Sequence, residues 1–494
     1  MTNIPEGSPS LFRPDLWDLL LPGILAARRV GREYVNSGKY YPRQTSVEYR
    51  EQNSGWPQTV RSYLDIFPTG PVNWKALFDL EKGEHTQIAV EEVPELAKML
   101  HSIVALGEYD DDVAHVISLV APYLKPGEDR NRSIKHETLL FIGQILNRAD
   151  AIGAEEVNQL RTIYQCLEYV RLSKNLKGDI VVPLVAVAFD TQEPIKIRDN
   201  IWLEPLSISD HRSRALSHDP NSSANAFVAA AATHAVTIRD VKFSNNIFPY
   251  NLRQSIPQEF DLSIVDHVIT AVRLLAVTKT GYAQILVRPQ GWAVDWIDNL
   301  PSIWIAWSGR SYPESLNARE WINTFKPIEK NTVHDIIRFA CELETAPKGV
   351  QLSARRYSRI TFRTDREDQI LDAAIGIEAL LGKEPDAITH RLAQRAAVAL
   401  TQPFTTIPIS PSEIYSLVKQ FYSARSQIAH GSEARKLVCK IDDREYSVES
   451  VGQFLLGELL KARLLGDDPW NAESLDAQLL NSLAMDHRGG GIES

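Results

Sequence analysis

Two residue types within one short stretch could do chemistry together. Tyr422-Ser423-Ala424-Arg425-Ser426-Gln427-Ile428-Ala429-His430-Gly431 sets Arg425 and His430 five positions apart, near the end of a predicted amphipathic helix. A guanidinium binds a phosphate and neutralises charge developing on it, and an imidazole moves a proton near neutral pH. The pair suffices for metal-free cleavage of RNA, whose ribose 2′-hydroxyl supplies the nucleophile. The spacing alone is weak, because an arginine followed after four to six residues by a histidine occurs three times in the chain. The other two pairs, Arg130 with His136 and Arg212 with His218, lie in turn-rich polar sequence and read as solvated loop residues.

The elements that must position Arg425 and His430 are helices. Ser410-Pro411-Ser412-Glu413 is a capping-box start with proline at the first helical position. Ile414, Leu417, Val418, Phe421, Ala424 and Ile428 then fill one face at about 100° per residue. Arg425 projects into that face, His430 falls toward its edge, and Gly431 is a natural stop. A charge in an apolar stripe needs a partner. The residue reads equally as a structural ion pair, a snorkelling side chain or a site. The preceding helix, Glu367 to Leu381, places Glu378 among Ile370, Leu371, Ala374, Ile377 and Leu381. Two neighbouring helices thus each carry one charge on the buried side, of opposite sign. A third helix, Ile388 to Leu400, is alanine-rich on one side and carries His390, Arg391, Gln394 and Arg395 on the other. Upstream, Arg355, Arg356, Arg359, Arg363 and Arg366 make a local basic patch, with Asp365 the single acid among them.

Residues from about 355 to 466 resemble the HEPN fold (higher eukaryotes and prokaryotes nucleotide-binding), in its ApeA-like branch. The resemblance rests on R-Y-S-R-x7-E-D-Q-I-L-D-A-A-I-G-I-E-A-L-L-G at 356–382, H-R-L-A-Q-R-A-A at 390–397 and R-S-Q-I-A-H-G at 425–431. It implies an all-α bundle of four or five helices that dimerises, with the arginine–histidine motifs of two subunits facing one cleft. It also implies metal-independent endoribonuclease activity in antiphage defence or as a toxin. Arg425 and His430 match the family's catalytic pair, and Glu378 its helix acid. Ser426 stands where many members carry Asn, Asp or His. On this reading RNA contacts Arg355, Arg356, Arg359, Arg363, Arg366, His390, Arg391, Arg395 and Ser426. A weaker likeness reaches upstream to about 178–210.

The rest of the chain divides by pattern. Glu91 to Leu106, Asp111 to Leu124, His136 to Ala149 and Ala154 to Lys174 have helical periodicity, so 1–175 reads as mostly helical. Between 178 and 325, β-branched runs alternate with turns and predict a mixed α/β domain, with Leu262 to Thr278 open between helix and strand. The bundle then spans 330–466. The tail, 467–494, is acidic and ends in a glycine run, so its last residues are expected to be loose. The expected class is therefore α+β and multidomain.

Composition narrows the function classes. The chain has 494 residues, 44% of them hydrophobic, which supports proper cores. No apolar run is long enough to span a bilayer, and Met1 to Pro14 lacks the pattern of a secretory signal. Cys166, Cys341 and Cys439 are far apart and make neither a zinc spacing nor a disulfide framework, which points to a reducing cytoplasm. A net charge of −10 argues against indiscriminate nucleic-acid binding while permitting a local basic cleft. No metal-ligand set or phosphate loop is present, so no cofactor is expected; His101, His115 and His136 read as surface or capping residues. Trp292, Trp296, Trp304 and Trp307 read as core. Two function classes follow: a metal-independent ribonuclease acting on RNA as a homodimer, with a defence-system partner or antitoxin, and a non-catalytic scaffold or nucleotide- or RNA-binding module.

Overall fold

The computed structural model describes residues 11–44, 47–61, 70–83, 87–118, 124–216, 222–244, 260–293, 305–382, 388–401, 409–433, 435, 437–441, 444–466 and 469–489. The architecture is α+β. The chain forms two compact units, one from Met1–Pro183, Gln192–Phe260 and Tyr282–Arg310, the other from Leu184–Thr191, Asp261–Gly281 and Ser311–Ser494.

The first unit opens with α1 (Pro14–Asn36), a hairpin of β1 (Val47–Glu51) and β2 (Pro57–Arg61), and a short parallel pair, β3 (Phe78–Asp79) and β4 (Ile88–Ala89). Four helices follow: α2 (Pro94–Gly107), α3 (Asp111–Ile117), α4 (Glu128–Ile152) and α5 (Val157–Leu172). Side chains fix their starts. The Asp110 carboxylate accepts from the amides of Asp112 and Val113, and Glu156 with Gln159 closes a capping box on α5. Glu168 is buried and holds the entry to α1: it accepts from the amides of Phe12 and Arg13 and from the Tyr164 hydroxyl.

A six-stranded sheet completes this unit. Its strands are β5 (Asn175–Val185), β6 (Ile195–Arg198), β7 (Ile201–Pro205), β8 (His234–Ser244), β9 (Gly281–Pro289) and β10 (Ile305–Ser311), in the order β10-β9-β5-β8-β7-β6. Strand β5 lies inside the sheet and is buried on both faces, which explains its near-continuous apolar run rather than an alternating one. Two short helices, α6 (Ile208–Leu216) and α7 (Ala226–Ala230), sit between β7 and β8.

The second unit begins with α8 (Ser263–Leu275), so the segment left open by sequence is helical. Then come α9 (Lys330–Thr345), α10 (Lys348–Ile360), α11 (Arg366–Leu381), α12 (Ile388–Ala399) and α13 (Pro411–Ala429). A hairpin of β11 (Val438–Ile441) and β12 (Arg444–Ser447) leads into α14 (Val448–Leu465), and α15 (Ala472–Gly489) ends the described chain. Helix α10 packs on α11, α11 on α14, and α12 on α13 and α15. Phe421 of α13 reaches the crossing of α11 and α14, where Gly452 admits its ring: a Cβ there would lie 2.5 Å from the Phe421 ring and 2.9 Å from Ala373.

Three expectations are corrected here. Arg130 is not a solvated loop residue: it is buried on α4, donates to the Gly107 carbonyl at 3.0 Å and pairs with Asp111 at 2.6 Å. Arg212 is exposed, but on α6 rather than in a loop; His218 lies outside the described residues. The C-terminal region is not all-α, because β11 and β12 interrupt it. Cys439 turns inward, and the Gln420 side-chain amide both donates to and accepts from the Lys440 backbone, clipping the hairpin to α13. Within the tail, Trp470 and Leu475 are buried and α15 packs on α12; the last residues, expected to be loose, lie outside the described residues. Residues 490–494, Trp296 and Trp304 lie outside the described residues, as does most of the opening segment. Trp292 is buried as expected, and Trp307 is half-buried, its ring edge-on to Tyr282.

Candidate functional site

Helix α13 carries both residues of the arginine–histidine motif. Its start is the capping box anticipated from sequence: the Ser410 hydroxyl accepts from the Glu413 amide while the Glu413 carboxylate accepts from the Ser410 amide. The helix ends at His430, whose amide bonds back to the carbonyls of Ser426 and Gln427, and Gly431 makes the turn with φ of 91°.

Arg425 is half-buried and its Nε is buried without a hydrogen-bond partner. Glu378, on α11, is half-buried as well, and the two form no ion pair within 4 Å among the described residues. Both flank Tyr422. Burial raises the Tyr422 hydroxyl above its ordinary pKa, the negative charge of Glu378 adds to the rise, and Arg425 opposes it. That hydroxyl donates to the Ala374 carbonyl at 3.3 Å. Arg425 thus sits beside a fixed polar group and an acid, with hydrogen-bonding capacity left over.

His430 is exposed and belongs to a different side of α13. Five residues of helix turn through ~500°, so the two positions point about 140° apart. The histidine shares its stripe with Tyr415, Lys419, Ser423 and Ser426. Lys419 stands over the Tyr415 ring, and the Tyr415 hydroxyl bonds His390 Nδ1 at 2.6 Å. Tyr415 and Lys419 were not picked out from the sequence; their spacing of four, and of fifteen and eleven from His430, was the available signal. Within one chain, therefore, α13 displays half-buried Tyr415 and exposed Lys419, Ser426 and His430 on one side, with exposed His390 of α12 bonded to Tyr415, and a separate, half-buried Arg425.

The expected RNA-contacting arginines divide. Arg356 pairs with Asp372 at 2.6 Å, Arg363 with Asp368 and Asp372, and Arg366 with Glu449 at 2.7 Å. Arg395 is buried, donates to the Leu381 carbonyl and grips both oxygens of Asp476. These four hold helices together and present little free charge. Arg355, Arg359 and Arg391 remain exposed.

No protein-family model, no curated protein and no solved structure matches the chain. The site is therefore argued from its own geometry. Among the described residues, no group of three or more His, Cys, Asp or Glu side chains could hold a metal ion, and no helix is long and apolar enough to cross a membrane. The three cysteines are free thiols.

A second charged cluster escaped the sequence reading. In the first unit Arg288 bonds Glu204 at 2.8 Å and Asp210 at 3.2 Å, and lies 3.7 Å from Asp179; Arg239 also pairs with Glu204, at 2.5 Å. Burial pushes Glu204 up, yet hydrogen bonds from Arg239 and Arg288 prevail and hold its carboxyl below the ordinary range. Asp179 is raised by burial. Arginine occupies the centre of the three carboxylates, so the cluster fastens strands and α6 to one another. Its members come from five separate elements, which no local motif reveals.

Proposed function

We propose that the protein is a metal-independent endoribonuclease of HEPN type whose catalytic pair is Arg425 and His430, with Glu378, which acts with Arg425 on Tyr422, as the helix acid of the site. The observation that carries this reading is Arg425 itself. A half-buried guanidinium that makes no ion pair among the described residues keeps exposed N–H groups that an anion can take. A scissile phosphate supplies one. His430, exposed at the helix end, would take the proton from the 2′-hydroxyl or return one to the leaving oxygen. Arg425 would stabilise charge developing on the phosphate, a role whose loss typically costs about 10²–10³ in rate. Products would be a 2′,3′-cyclic phosphate and a 5′-hydroxyl.

The separation of Arg425 and His430 around α13 favours a homodimer. Two copies meeting about a two-fold axis can bring the arginine of one to the histidine of the other. Antiphage defence or toxin action, with an antitoxin or defence partner in the cytoplasm, is part of the same proposal. The exposed His390, Lys419 and Ser426 and the half-buried Tyr415 along the His430 side, with Arg391, are the residues best placed to hold RNA. Cleavage of single-stranded RNA by purified protein in EDTA, lost in His430→Ala, tests the reading.

A second reading, a non-catalytic nucleic-acid or nucleotide-binding module, draws on the pairing of Arg356, Arg363, Arg366 and Arg395. RNA binding without cleavage under those conditions would select it.

A further inference from the structure

Two arginines left over from the basic patch face a cavity. Arg355 and Arg359 lie one turn apart on α10 and, among the described residues, neither makes an ion pair. Both line a cavity of about 560 Å³ within the second unit, bounded by α8, α9 and α10. That volume is in the range of small-molecule sites. Asp266, on α8, lines the same cavity, and its carboxylate likewise has no ion pair or hydrogen bond. Asp266 is exposed toward the cavity; the protein around it still raises its pKa by desolvation, although Arg273 pulls the other way. Charges of both signs thus share one space without neutralising each other, whereas Arg356, Arg363 and Arg366 nearby are all paired.

The remaining lining is held in place. Arg273 is buried and fully used: it donates to the Thr280 carbonyl and to the Ser358 hydroxyl at 2.7 Å. Its guanidinium also backs the Phe362 ring at 4.6 Å. Phe362 is 43% exposed, an unusual state for a phenylalanine lining a cavity that already has one face covered. Its free surface offers an apolar platform beside the unpaired charges.

We infer that this cavity binds a small two-ended molecule, with an oxyanion held by Arg355 and Arg359 and an N–H-donating or cationic group held by Asp266, its body packed on Phe362. Two guanidiniums a turn apart suit a phosphate or carboxylate. A carboxylate open to the cavity suits a donor-rich group. That chemistry is found in nucleoside monophosphates and in basic amino acids, which differ in whether an aromatic body joins the two ends. The site contains neither Arg425 nor His430, so it stands or falls apart from the ribonuclease reading.

The test is calorimetric titration of the full-length protein with GMP and CMP in one arm and L-arginine in the other, with inorganic phosphate as the one-ended control. At least one two-ended probe should bind ten-fold or more tightly than phosphate. Asp266→Asn should weaken that probe by ten-fold or more while leaving phosphate unchanged. Arg355→Ala and Arg359→Ala should each weaken both. Arg363→Ala, whose partners are Asp368 and Asp372, should change neither. Preference for the nucleotides selects the aromatic body, and preference for L-arginine the aliphatic one. The inference is overturned if no two-ended probe binds more tightly than phosphate, or if Asp266→Asn binds it as well as the unaltered protein. Circular dichroism on each variant confirms that it is folded.

Discussion

At the scale of single residues, exposure decides which substitution is informative. His430 is exposed and touches the fold through its backbone, so His430→Ala should leave the melting temperature unchanged. Cleavage should fall by about 10²–10⁴, the usual contribution of a general acid or base. Full RNA cleavage by folded His430→Ala protein would remove the motif from the chemistry. Arg425→Ala should cost similar activity and only about 1 kcal/mol of stability, since it breaks no ion pair. A different histidine should weaken the fold in acid. His211 is buried, its Nδ1 has no partner, and burial followed by repulsion from Arg214 pushes it down from 6.5 to about 2. Below pH 6.5 the unfolded chain takes up a proton that the folded chain refuses. Stability is therefore present above that pH and is lost as pH falls, by up to about 1.4 kcal/mol per unit. His211→Phe keeps a ring against Tyr49 and cannot titrate. Urea midpoints at pH 7.0 and 4.5 should then differ less than in the unaltered protein; an equal difference would show that His211 does not weaken the fold in acid.

At the scale of elements, α13 is positioned by close approach rather than by charge. Its Phe421 occupies the space that Gly452 leaves open on α14. Gly452→Ala should force ring and helix apart at a cost of about 1–3 kcal/mol, read as a lower thermal midpoint. Because α13 carries the motif, cleavage should fall with it; an unchanged midpoint would mean that this crossing yields without strain. The tail helix α15 is fastened differently. Asp476 takes two hydrogen bonds from the buried Arg395. Asp476→Ala should destabilise by about 1 kcal/mol, toward the low end for a charged hydrogen bond because the carboxylate is half exposed. This arrangement also reassigns Arg395 from RNA contact to helix packing.

At the scale of the whole molecule, the proposed chemistry constrains both substrate and assembly. A deoxyribose at the cut site removes the nucleophile, so a single such substitution in a defined RNA should abolish cleavage there and leave other sites intact. Efficient cutting of DNA, or a strict need for Mg²⁺, would contradict the mechanism. Mixing His430→Ala protein with Arg425→Ala protein reads out the pairing. If one arginine and one histidine from opposite copies suffice, the mixture regains activity that neither variant has alone. If every centre needs both pairs intact, it stays inactive. A protein that is monomeric by light scattering while cleaving at full rate would exclude the shared site.

The residues that sequence placed correctly are those governed by neighbours along the chain. The capping box of Ser410 and Glu413, the apolar face from Ile414 to Ile428 and the stop at Gly431 all follow from helical period and local hydrogen bonding. Helical period assigns a residue to a face, but it does not say what meets that face. Arg366 and Glu449 are 83 residues apart and Arg395 and Asp476 are 81 apart, so a run that reads as a basic patch becomes mostly ion pairs once the helices pack. Arg130, read as loop, gains two carbonyls and Asp111 for the same reason. The converse holds for Arg355, Arg359 and Asp266, drawn from α8 and α10: tertiary packing sets them around one cavity and leaves them unpaired. Which charges are free to meet a ligand is fixed by which helices pass each other, and sequence spacing carries no record of that.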